Sequence, residues 1–101
     1  MTNLENLFHE EMINIYKMAK TECGYNATRF LVMVNERGGL QAAKTLINAP
    51  GVSDVFAALW ERGRPDLTVE AIILDPQWKE LFTYHELDIA RERLRKSGYP
   101  V

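Results

Sequence analysis

The sequence predicts an all-α fold: a compact, irregular bundle of six or seven short helices forming a single domain over residues 1–101. Three observations predict it. Apolar residues recur at spacings of three and four along most of the chain, which is the period of a helix face. Helix-opening signals precede these stripes, and glycine or a Pro-Gly pair closes most of them. The one segment with strand character, 69–74, is rich in Val and Ile but has no partner strand elsewhere, so helix is the better assignment.

Thr2-Asn3-Leu4-Glu5 reads as a capping box, with Leu4, Phe8, Met12, Ile15, Ala19 and Cys23 forming one long stripe behind it. Gly24 is a natural stop, so the first helix is expected over about 3–23. Asn26 is the expected cap of a second helix facing inward through Ala27, Phe30, Leu31 and Val34. Gly38-Gly39 supplies a sharp corner. A third helix follows with Leu40, Ala43 and Ile47 turned in, and Ala49-Pro50-Gly51 closes it.

Ser53 is the expected cap of a fourth helix, with Val52, Val55, Phe56, Leu59 and Trp60 as its buried stripe and Gly63 as its stop. Asp66 is expected to cap a fifth helix over 67–74 that is apolar on nearly every side, the pattern of a central element. Asp75-Pro76 pairs a cap with proline at the first helical position, opening a short helix through Trp78, Leu81 and Phe82. Thr83-Tyr84-His85-Glu86 is another capping box. It begins a last helix with Leu87, Ala90 and Leu94 inward and Lys96 and Gly98 at its end.

Composition bounds the function. Of 101 residues, 47% are hydrophobic and 26% charged, the balance of a globular domain with one core. The formal net charge of -2 argues against a dedicated nucleic-acid binder, which carries a basic excess. Cys23 is the only cysteine, so neither an intramolecular disulfide nor a cysteine metal cluster is expected. The N-terminus lacks the pattern of a signal peptide. No apolar run approaches the ~20 residues that span a bilayer, and the expected setting is cytoplasmic.

Chemistry-bearing motifs are absent. His9 is followed by Glu10-Glu11-Met12-Ile13, so the second histidine of a zinc-binding HExxH helix is missing. His85 reads as a surface residue, and Gly38-Gly39 is a turn rather than a phosphate loop. No catalytic residue, cofactor, metal or small-molecule ligand is expected.

Two polar sets remain. Gln41, Lys44, Thr45 and Asn48 fall at i, i+3, i+4 and i+7 on the third helix, one face with side chains suited to base edges. Arg91 and Arg95 share a face of the last helix. Together they define the nucleic-acid alternative, a helix-turn-helix-like pair with a C-terminal arginine face. Glu92 can instead pair with Lys96, and a solvated charged face is the plainer account of the arginine run. Glu70, within the apolar fifth helix, needs a cationic partner if buried, and Arg29, Arg62 and Arg64 are the candidates. Val32, alone among polar neighbours on the second helix, would mark an interface if another exposed apolar group lay beside it.

Three stretches, GYNATRFLVMVNERGGLQAAKTLI, LWERGRPDLTVEAIIL and WKELFTYHELDIARERLRKSGY, carry a resemblance over about residues 19–99. They resemble a family of short bacterial proteins and domains of unknown function. The match rests on Gly24, Tyr25, Asn26, Arg29, Phe30, Met33, Gly38 and Gly39, on Leu59, Trp60, Gly63, Arg64 and Asp66 to Glu70, and on Leu81 to Thr83, Glu86, Leu87, Ala90, Arg93 and Leu94. Asp54-Val55-Phe56 departs from the family pattern, which has glycine before the phenylalanine. Family segments occur as stand-alone proteins and as tails on larger bacterial proteins, some with nuclease domains. The resemblance implies a modular accessory role and licenses no catalytic assignment. The leading expectation for the chain is a non-enzymatic interaction module that binds a protein partner or self-associates.

Overall fold

The computed structural model describes residues 2–101 and contains six α-helices and two 3₁₀ helices, with no strand among the described residues. The helices are α1 (Asn3–Cys23), α2 (Thr28–Arg37), α3 (Gly39–Asn48), α4 (Asp54–Glu61), α5 (Val69–Ile73) and α6 (Tyr84–Lys96). The 3₁₀ helices are Pro65–Leu67 and Pro76–Leu81. The radius of gyration is 12.4 Å, the value of one packed core.

The long α1 is the floor of the bundle. Its stripe Phe8, Met12, Ile15 and Ala19 is wholly buried, and α2 and α3 pack across it. At one end Phe8 meets Trp78 edge-on at 5.2 Å and Phe82 at 5.4 Å, which ties the second 3₁₀ helix to α1. The α5–α6 pair forms the second half, and α6 reaches back onto α3.

The Gly38-Gly39 corner divides its labour. Gly38 has φ of 84°, a conformation side chains resist, and it serves as both the end of α2 and the start of α3. Gly39 solves a spacing problem: a methyl group on it would lie 2.6 Å from His9 Cα. Its amide donates to His9 Nδ1 at 2.8 Å, so the missing side chain lets α3 seat directly on α1. The imidazole predicted to have no metal role is a strut between two helices.

Some local signals act as expected. Ser53 Oγ accepts from the Phe56 amide, and both halves of the Thr83–Glu86 capping box form. The Thr2 box is half formed: Glu5 N donates to the Thr2 hydroxyl, but the return bond joins the two side chains.

Four expectations are corrected. The cap of α2 is Ala27 rather than Asn26, with no side-chain bond. The helix predicted over 67–74 breaks in two, because Arg64 locks Asp66 with two parallel bonds of 3.1 Å. Thr68, in extended conformation, then restarts the chain as the true cap of α5, accepting from the Ala71 amide. Trp60 is 47% exposed, since its indole N–H turns out to donate to Ser97 O at 2.8 Å. Val52, 49% exposed, precedes the Ser53 cap and so lies outside the buried stripe of α4.

Candidate functional site

Two regions around α3 are the candidates: a polar seam where α3 meets α5 and α6, and an apolar cleft where α3 lies beneath the starts of α2 and α4.

The seam is made of the residues the sequence nominates as a reading face. Lys44 Nζ sits 2.7 Å from Glu86 Oε1 and 4.9 Å from the centre of the Phe82 ring. Asn48 Nδ2 donates to Glu86 Oε2 and to Lys44 O, both at 2.9 Å. The Thr45 hydroxyl donates to Gln41 O at 2.8 Å. Lys44 and Asn48 are thus committed to α6, while Gln41 and Thr45 make no side-chain bond to a neighbouring helix. Burial alone would push the Glu86 carboxyl up. The Lys44 ammonium, the Thr83 amide and the Asn48 amide overcome it and hold the pKa at about 2.

Glu70 is buried, as its apolar setting implied, but its partner is Arg93. Arg93 NH1 donates to Glu70 Oε2 and to Leu46 O, both at 3.1 Å, while NH2 donates to Ala49 O at 2.7 Å. One guanidinium therefore joins α5 to α6 and also caps the carbonyl end of α3. Burial raises the Glu70 pKa, against the lowering pull of its own amide and of Arg93.

The arginines first proposed for Glu70 lie elsewhere. Arg29 is 94% exposed and 3.7 Å from Asp54. Arg62 stacks on the Tyr25 ring at 4.9 Å. Arg64 pairs with Asp66 and Glu22, and its guanidinium holds the Asp66 carboxyl below the usual carboxylate range.

The C-terminal arginines stand apart from this seam. At about 100° per residue, Arg93 falls about 20° from Glu86 around α6, while Arg91 and Arg95 fall about 140° and 180° away. Arg91 pairs with Asp88 and Arg95 with Glu92, each at 2.9 Å, so Glu92 is not the partner of Lys96. The two halves of the nucleic-acid alternative therefore point in different directions, and most of their charges are already neutralised.

The cleft has a volume of about 510 Å³. Ala27, Phe30 and Met33 come from the start of α2, Leu46 from α3, Val55 from α4, and Tyr25 closes one side. Tyr25, Met33 and Leu46 are only half-buried, so apolar surface remains wet there. Arg29 and Asp54 form the rim. The small Ala27 helps to leave this hollow, because α2 opens on a side chain that neither fills space nor caps an amide. Exposed Val32 follows Arg29 by three residues on α2.

Elsewhere the polar inventory is closed: among the described residues, no buried side-chain nitrogen or oxygen lacks a hydrogen-bond partner. No group of three or more His, Cys, Asp or Glu residues is placed to hold a metal ion among them. Among the described residues, no helix is long and apolar enough to cross a membrane. The chain matches no family model, no curated protein and no solved structure.

Proposed function

We propose that this domain is a non-enzymatic protein-interaction module, and that the cleft between α2 and α4 receives an apolar side chain from a protein partner. The observation that carries the reading is the cleft itself: about 510 Å³, apolar within and charged at its rim. Interfaces of this kind concentrate affinity in an apolar anchor that fills a pocket, with a polar rim setting register. Binding would cover the half-wet faces of Tyr25, Met33 and Leu46, which the fold leaves only partly buried. The resemblance to a family of bacterial accessory segments supports a portable module of this type. We place it in the bacterial cytoplasm, where the lone Cys23 thiol would stay reduced.

The test is a selection of short random peptides on the purified protein, followed by affinity measurement against a Met33→Arg variant. Met33 is half-buried on the cleft wall, so the variant carries a charge into the pocket without disturbing the core stripe of α1. Selected peptides should carry an apolar anchor and lose at least about tenfold in affinity for the variant. Peptides that bind both proteins equally, or a selection that enriches none, would overturn the reading.

A further inference from the structure

Nothing in the cleft alone names its occupant, but its rim does. It carries one cation and one anion, Arg29 and Asp54, 94% and 85% exposed. At 3.7 Å they form the loosest ion pair among the described residues; the others stand at 3.1 Å or closer. An exposed pair of this kind contributes little to the isolated chain and is exchanged at little cost. Each charge also has an exposed valine near it in sequence. Val32, 46% exposed, is three residues beyond Arg29 on α2, and Val52, 49% exposed, is two residues before Asp54 at the start of α4. The rim of the hollow thus has a cationic side on α2 and an anionic side on α4.

A surface built that way is complementary to itself. A two-fold interface requires that residue i of one copy meet residue j of the other, and j meet i. Turning a second copy through half a rotation sets the α2 half of each molecule against the α4 half of its neighbour. Arg29 of one copy then faces Asp54 of the other, twice, across the openings of the two clefts. The formal net charge of -2 is small enough that two copies do not repel strongly. A foreign partner would need a matched pair of charges; a second copy carries them by construction.

We infer that the cleft closes against a second copy of this chain, in a two-fold dimer with reciprocal Arg29–Asp54 pairs. This rests on the cleft being the interaction surface and adds the identity of its occupant. Charge reversal tests it. In Arg29→Asp each crossed pair becomes two carboxylates, and in Asp54→Arg it becomes two guanidiniums. An equal mixture of the two variants restores opposite charges at both crossings.

The experiment is sedimentation velocity of the full chain and of both variants across the micromolar range, with native mass spectrometry of the mixture. Circular dichroism confirms the helical fold of each variant, and both positions are exposed. The wild-type protein should dimerise. Each variant alone should dissociate at least about tenfold more readily, and the mixture should recover a dimer holding one chain of each kind. A wild-type chain that stays monomeric throughout overturns the inference, as do variants that dimerise as well as wild type or a mixture that yields no heterodimer. These outcomes are separable from the fate of the cleft: peptides that lose affinity for Met33→Arg while the wild type sediments as a monomer would leave the cleft to a different protein and remove only the second copy.

Discussion

Glu86 and Glu70 are both buried, both face one cation and both lie along the contact of α6 with its neighbours, yet their proton affinities move in opposite directions. Burial pushes both carboxyls up and weighs more on Glu70; the rest of the difference lies in how water is replaced. Three donors from three residues surround the Glu86 carboxylate: Lys44 Nζ, the Asn48 amide and the Thr83 backbone N–H. Glu70 receives one side-chain bond, from an arginine that also serves two carbonyls of the α3 terminus. A salt bridge by itself does not stabilise a buried carboxylate; the depth of burial set against the hydrogen bonds that replace its hydration decides the sign.

The largest break in this comparison comes from Arg93→Ala. It strips Glu70 of its only cation among the described residues and two α3 carbonyls of their donor at once, leaving a buried charge uncompensated. We expect a loss of about 3–5 kcal/mol in urea unfolding, partly recovered by mild acid as Glu70 takes up a proton.

A smaller and more discriminating pair is Glu86→Gln against Glu70→Gln. Removing the charge that Lys44 and two N–H groups hold should cost about 1–2 kcal/mol at neutral pH, allowing for partial solvent access to Glu86. Removing the poorly compensated charge of Glu70 should cost less than about 1 kcal/mol. The pH profiles must differ in sign. With its folded pKa lowered to about 2 from 4.5, Glu86 contributes stability that is complete above the upper value and lost as pH falls toward the lower one. Glu70, raised above 4.5, binds its proton more readily in the folded chain, so its contribution grows as pH falls through that raised value. Equilibrium unfolding at a series of pH values should therefore lose its acid-side decline in Glu86→Gln and its mid-acid gain in Glu70→Gln. Equal costs and parallel profiles would show that donor number is not the controlling variable.

The smallest effect is expected outside the seam. Arg91→Ala and Arg95→Ala each remove one exposed pair within a helix, and each should shift stability by no more than about 0.5 kcal/mol. A larger loss in thermal denaturation would mean that the outer face of α6 is part of the structure after all.

Which features were legible in the sequence follows from the range over which each is decided. The extents of α1 and α6, the Ser53 cap and the Thr83–Glu86 box depend on residues within one turn of each other, and the local pattern carried them. The break at Thr68 was hidden because the Arg64–Asp66 fork, which takes Asp66 away from capping, is a side-chain choice between two available bonds. The partners of Glu86 lie 42 and 38 residues away, and Arg93 is 23 residues from Glu70, so only the crossing of α3, α5 and α6 creates them. One signal was present: Glu86, Ala90 and Arg93 share a face of α6, and a charged pair flanking an inward alanine marks a helix that buries polar groups. The cleft left no such trace, because it is a space between the starts of two helices that are not neighbours in sequence.

α3 is thus a divider, with its polar side spent on α6 and Leu46 on the wall of the proposed docking cleft. Amide chemical-shift mapping during titration with a display-selected peptide tests that division most directly. The account predicts movement at Phe30, Met33, Leu46 and Val55, with Lys44, Arg91 and Arg95 still. Shifts confined to Gln41, Lys44, Arg91 and Arg95 would contradict it.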